Sequence, residues 1–325
     1  ERSRQVQLMA EVFSNARSVV VWPADLRQSL NPRVMPAIRW AAGETRRALG
    51  LEDREILARG RISYIEMLDK FPRPEGLSEE PQARCEAVFI AINWFFGLAW
   101  FSRVWVLQEV FHASCTAEVQ YGNDRVQWNS VMLAHIWCFI AQSVLHYSNT
   151  NVFTVPNLPG LWQSLASTGP SQRLGIMTVL HETEYLRASD PRDRIYALLS
   201  LAKETSEIGR LPPKMRPDYS RPAAEVYTEF TRGLVDLFGN LDILSLVGTS
   251  SQPVIPSVLH GSSLPTWVPD YNADQPKMYT SISLNAFCAT AQSQASVGPP
   301  PVQGLLRVRG LRFDKVAAVF SVTAH

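Results

Sequence analysis

The feature that most narrows what this chain can fold into lies near its start. Val6, Met9, Phe13 and Ala16 recur at helical spacing, and a few residues later Val19, Val20 and Val21 form an unbroken apolar run. The first pattern predicts an amphipathic helix and the second a short strand without alternation. A strand of that kind, fed directly by a helix, is what a parallel sheet covered on both faces produces. Val19 to Trp22 is therefore expected as a central buried strand of an α/β unit. At 325 residues the chain is long enough for a large core and usually for two domains.

Further along, residues 30–68 read as polar helix carrying Arg33, Arg39, Arg46 and Arg47, a basic group read by default as a solvated helix face. The segment FPRPEGLSEEPQ breaks this pattern with Pro72, Pro74, Gly76 and Pro81. A helix is predicted after Pro81 with Val88, Ile92 and Phe95 on one face, and CTAEVQYG predicts a strand ending at a turn. Beyond Trp128 long helical patterns cover about 128–148, 158–187, 190–203 and 223–239. In SDPRDRIYALLSLA, Asp190 is the expected N-cap, with Pro191 at the first helical position and Asp193 in the first turn. LPTWVPDYN reads as an ordered crossing loop, and LRVRGLRFDKVAAVF as two short strands around Gly310.

Composition removes several function classes. Hydrophobic residues make up 46% and charged residues 19%, as in folded globular proteins, and a formal net charge of +1 argues against a bulk grip on nucleic acid. Cys85, Cys115, Cys138 and Cys288 have no CxxC spacing, which signals neither zinc site nor disulfide framework and suits reduced thiols in the cytoplasm. His135, Cys138 and His146 fall near one helical face, but their spacing makes a poor chelate, so no metal is expected. The apolar stretch Ala87 to Phe101 contains Asn93 and falls short of the roughly 20 residues of a membrane span. No GxSxG, GxGxxG or Walker pattern occurs.

One segment carries chemistry. In WFSRVWVLQEV, read as one helix, Ser102, Trp105, Glu109 and His112 share a stripe. A carboxylate beside an indole and partly desolvated has its pKa raised, and a nearby Arg opposes that shift. Two readings stay open: Glu109 as a poised acid, or Glu109 as an edge residue paired with Arg103 or another cation.

The ordered blocks ERSRQVQLM, ARSVVVW, WFSRVWVLQE, SDPRDRIYALLSLA, PDYSRPAAEVYTEFTRGLV, LDILSLV and LPTWVPDY resemble the fungal heterokaryon-incompatibility (HET) domain proteins. Local departures are Leu98 and Ala99 where the family usually has Arg-Pro, Pro23 and Ala24 where it has Leu-Gly, and Ser200 where it has Gly. The resemblance implies two further blocks ahead of Glu1, so the chain is expected to be truncated at its N-terminus. The fold it implies is α/β, an incomplete TIR-like parallel sheet with flanking helices, followed by a mainly α-helical region with a small C-terminal β element. The expected division is 1–125 for the HET domain lacking its first strands, 126–245 for the helical region and 246–325 for the C-terminal loop and β segment.

The function implied is a cytoplasmic signalling and effector module of nonself recognition and programmed cell death, with protein partners or self-association and no required cofactor. The alternatives are a non-functional or scaffold remnant and a TIR-like NAD glycohydrolase, in which NAD is the substrate. In that enzyme reading the resemblance makes Glu109 the catalytic candidate in a W-x-x-x-E pattern, with Trp105 and Ser102 in support. This chain alone is then expected to be inactive, because the strands ahead of Glu1 would supply ligand loops.

Overall fold

The structure is a computed structural model that describes residues 1–23, 30–59, 61–71, 79–113, 117–145, 174–184, 186–247, 258–259, 262–272, 296–298 and 305–309. It is a mixed α/β architecture in which helix predominates.

Helix α1 (Arg2–Ser14) buries only Val6, and its Leu8 and Val12 stay exposed. Strand β1 (Val19–Val21) runs parallel to β2 (Ala117–Tyr121), with Val21 opposite Val119, and β2 runs antiparallel to β3 (Asp124–Gln127). The expected parallel pairing thus holds for one strand pair, while the hairpin makes the sheet mixed. Gly122 is the physical reason: its φ of 62° lets a two-residue turn join Tyr121 to Asp124, a left-handed conformation that glycine takes at no steric cost.

The expectation of a central, fully buried β1 is corrected. With sheet order β1-β2-β3, β1 is an edge strand among the described residues. Val21 is 2% exposed, but Val20 and Trp22 are 46% and 51% exposed. Only one face of the strand meets the core, so its three valines alternate in burial despite their uniform chemistry.

Behind the sheet lie helices α2 (Val34–Leu49), α3 (Asp53–Arg59), α4 (Arg61–Lys70) and α5 (Glu79–Phe96). In α2 the residues Met35, Ile38, Ala42, Thr45 and Leu49 are buried at intervals of three to four, the stripe a core-facing helix needs. α5 opens with two acids and Pro81 in its first turn, which suits a helix N-terminus, and it buries Val88, Ile92 and Phe95 as the spacing predicts. The basic group of α2 is more than a solvated face. Arg39 pairs with Asp124, Arg46 with Asp53, and Arg47 with Glu44.

Helix α7 (Trp128–Leu145) follows the short α6 (Val106–Phe111) and the hairpin. Every residue from 131 to 138 is buried, because α2, α3, α4 and α5 pack around it. A helix apolar on all sides is stable only inside such a ring. The buried Thr45 hydroxyl lies 3.1 Å from the carbonyls of both Ala41 and Leu133, which holds α2 and α7 close. α7 and α2 thus share one core across the boundary expected near residue 125.

The expected helix over 190–203 is two short pieces, α9 (Asp193–Tyr196) and a 3-10 turn (Leu199–Leu201). Of the pattern over 158–187 the described part forms α8 (Ile176–Glu182), and α10 (Ala223–Phe238) matches its expected span. LPTWVPDYN is an ordered loop that buries Leu264, Val268 and Tyr271. Arg307–Arg309 forms a strand antiparallel to Ser296–Gly298, while the strand expected beyond Gly310 lies outside the described residues. Among the described residues no helix is long and apolar enough to cross a membrane.

Candidate functional site

The segment WFSRVWVLQEV is not one helix. Ala99–Ser102 is a 3-10 turn, Arg103 is extended (φ −83°, ψ 134°), and α6 begins only after Trp105. A tertiary contact overrides the helical pattern here. The Arg187 N–H donates to the Ser102 carbonyl at 2.5 Å and the Val104 N–H to the Arg187 carbonyl at 2.9 Å, so Arg103 and Arg187 form a parallel bridge. The expected stripe therefore loses Ser102, whose hydroxyl turns back to the Ala99 carbonyl at 2.8 Å.

Trp105 departs from the expected stripe as well. Its indole N–H donates to Asp193 Oδ2 at 2.9 Å, away from the role of walling Glu109. Glu109 instead faces Trp100 and Arg103. Burial is the main influence on it and pushes its pKa up, while the Arg103 charge and a hydrogen bond from Trp100 partly offset that shift. Glu109 is thus partly desolvated and feels the charge of Arg103, but it forms no ion pair among the described residues. The indole beside it belongs to Trp100, which sequence spacing did not single out.

The end of α6 is tied down by its neighbours. Gln108 is buried and donates to the Ala197 carbonyl at 2.9 Å, and His112 Nε2 lies 3.0 Å from the Ser200 hydroxyl.

The polar cluster with the most partners gathers around Asp193, a residue read from sequence only as a first-turn acid. Asp193 is 5% exposed and accepts from the Trp105 indole, from the Tyr219 hydroxyl, and from Arg2 Nη2 at 3.2 Å. Arg2 Nη1 reaches Asp190 at 2.9 Å, and its guanidinium lies 3.9 Å from the centre of the Tyr219 ring. Asp190 also accepts from Arg192 Nε and Nη2 and from the Arg192 N–H. Burial works to raise the Asp190 pKa, but these Arg192 bonds and the charges of Arg192 and Arg2 hold it below the ordinary carboxylate value. Arg192 Nη1 in turn donates to the carbonyls of Tyr219 and Arg221. Burial and the hydrogen bond to Asp193 push the Tyr219 hydroxyl far up.

Arg194, 4% exposed, is satisfied by three carbonyls, those of Tyr271, Thr183 and Glu184. Asp193 and Arg194 thus join α1, the start of α6, the segment 218–221 and the loop 264–272. Acids and arginines crowded into a stretch that is otherwise apolar were the available signal for this hub.

The expected absence of a metal cluster concerns α7. His135 and Cys138 are buried there, whereas His146 lies outside the described residues. Burial lowers the His135 pKa to about 4 and pushes the Cys138 thiol far up. Among the described residues no group of three or more His, Cys, Asp or Glu is placed to hold a metal ion.

Residues 1–109 match the sequence model of the family described as heterokaryon incompatibility protein (HET). Heterokaryon incompatibility protein 6, OR allele, of Neurospora crassa is 24% identical over 311 residues, which cover 86% of this chain and 44% of that protein. The chain thus spans less than half the length of this curated relative. No solved structure matches it.

Proposed function

Because the chain is a HET domain-containing fungal protein by these matches, we propose that it is a signalling and effector module of heterokaryon incompatibility. In this reading it works in the cytoplasm, through contacts with proteins and with copies of itself, toward nonself recognition and programmed cell death. One observation carries the proposal. The motif residues Trp105, Asp190, Arg192, Asp193 and Tyr219 spend their polar atoms on one another, which builds a rigid frame and leaves those groups unavailable to a substrate. Among the described residues β1 is an edge strand, with Val20 and the following Trp22 exposed, and an open apolar edge is a template for pairing with another chain.

Sedimentation velocity tests this contact. The purified chain is expected to associate as its concentration rises, and Val20→Lys with Trp22→Glu is expected to keep it monomeric. A wild-type chain that stays monomeric, or association indifferent to these substitutions, would remove self-association from the account.

The desolvation of Glu109 favours a second reading, TIR-like cleavage of NAD. A carboxylate held in a partly apolar wall could stabilise the oxocarbenium-like state in which nicotinamide leaves. In that case Trp100 and Arg103 are the immediate neighbours of the acid, since Trp105 and Ser102 are engaged elsewhere. Because the chain alone is expected to be inactive even in this reading, the separating test follows NAD and cell death together in cells carrying Glu109→Gln: NAD loss and death that both depend on Glu109 support the enzyme, and death that persists without it supports the module.

A further inference from the structure

Helices α2, α4, α5 and α7 line an open cavity of about 330 Å³ that has Glu109 and the Asp193 hub outside its lining. Its wall is aromatic. Trp40 meets Trp137 edge to face at 5.4 Å between ring centres, and Phe71 leans on Trp137 at 5.7 Å. Phe71 and Trp137 are buried, so this wall is fixed by the core behind it.

The lining is also electrically one-sided. Arg47 from α2, Lys70 from the end of α4 and Arg84 from α5 face the cavity, against a single acid, Glu44. Arg47 is paired with Glu44, and Arg84 reaches Glu80 only at 3.5 Å on its own exposed helix face. Lys70 has no ion pair among the described residues. Cations around an aromatic wall select for a ligand that is flat at one end and anionic at the other, because the rings supply apolar area and the rim supplies charge.

We propose that this cavity binds a small planar aromatic carboxylate, its rings against Trp40, Trp137 and Phe71 and its carboxylate toward Lys70 and Arg84. The volume lies at the low end of the roughly 300–1,000 Å³ of small-molecule sites, which suits one or two fused rings. The site is independent of how Glu109 acts.

Calorimetric titration of the full chain with naphthoate and with naphthylmethylamine, the same ring system bearing opposite charge, tests the assignment. Naphthoate is expected to bind one per chain, at least tenfold more tightly than the amine. Lys70→Glu combined with Arg84→Glu alters only exposed positions, and circular dichroism confirms its fold. This variant is expected to lose the naphthoate preference and to favour the amine. Absence of saturable naphthoate binding, equal affinity for the two probes, or a preference that charge reversal leaves intact would each overturn the proposal.

Discussion

Replacing Asp193 with alanine should destabilise the chain by an amount set by the donors it strands. The carboxylate accepts from the Trp105 indole N–H and the Tyr219 hydroxyl, and both lie in partly buried surroundings where water replaces it poorly. A donor left without its acceptor in such a place costs about 1–3 kcal/mol, so the two together cost about 2–6 kcal/mol. The contact with Arg2 adds little, since that side chain is 52% exposed and solvent screens it to about 0–1 kcal/mol. Urea unfolding followed by far-ultraviolet circular dichroism measures the loss. Asp193→Asn keeps an acceptor and should cost less than Asp193→Ala. In a Tyr219→Phe background one stranded donor has already gone, so Asp193→Ala should then cost about 1–3 kcal/mol less than in the wild type. A cost below about 1 kcal/mol, or strict additivity of the two substitutions, would refute the hub as the element that locks these segments together.

Acid should weaken the fold through His135. The unfolded chain protonates this side chain near pH 6.5 and the folded chain only near 4, because burial disfavours the imidazolium. Between those values the unfolded state holds the extra proton, so stability falls as the pH drops, by about 2 kcal/mol from pH 7 to pH 5. His135→Phe should lose that part of the dependence, and equal slopes for variant and wild type in urea titrations at the two pH values would contradict it. Gly122→Ala should lower the midpoint of thermal unfolding, since a Cβ there would lie 2.9 Å from Leu30 Cδ1 and the residue holds φ +62°. The left-handed conformation alone costs about 1–2 kcal/mol, so an unchanged midpoint would show that the hairpin turn relaxes freely.

Where burial followed local periodicity, the fold was legible in the sequence: α5, α7 and α10 lie where their apolar spacing or composition put them, whereas the stretch 30–68, read as polar helix, is divided into α2, α3 and α4. Two features depended on partners distant in the chain. The valines of β1 looked buried on both faces, and only the sheet order makes that strand an edge. WFSRVWVLQEV looked like one helix, and only the bridge from Arg103 to Arg187 breaks it. The candidate site was legible to the same extent. Desolvation of Glu109 and the opposing charge of Arg103 follow from composition near the acid, whereas the exchange of Trp105 for Trp100 follows from the break. Asp193 was read only as a helix-start acid, because its partners Arg2, Trp105 and Tyr219 come from three separate blocks.

The central claim is that the protein signals through contact and not through turnover at Glu109. Its most direct test places Glu109→Gln in the full-length protein and follows incompatibility-linked cell death together with cellular NAD, with the variant's abundance and fold verified. Glutamine preserves the shape of the side chain and removes its acid chemistry. The account predicts that cell death persists undiminished and that NAD levels match those of cells carrying the unsubstituted protein. Loss of cell death together with preserved NAD, in a variant that folds and accumulates normally, would contradict it and establish Glu109 as the catalytic carboxylate.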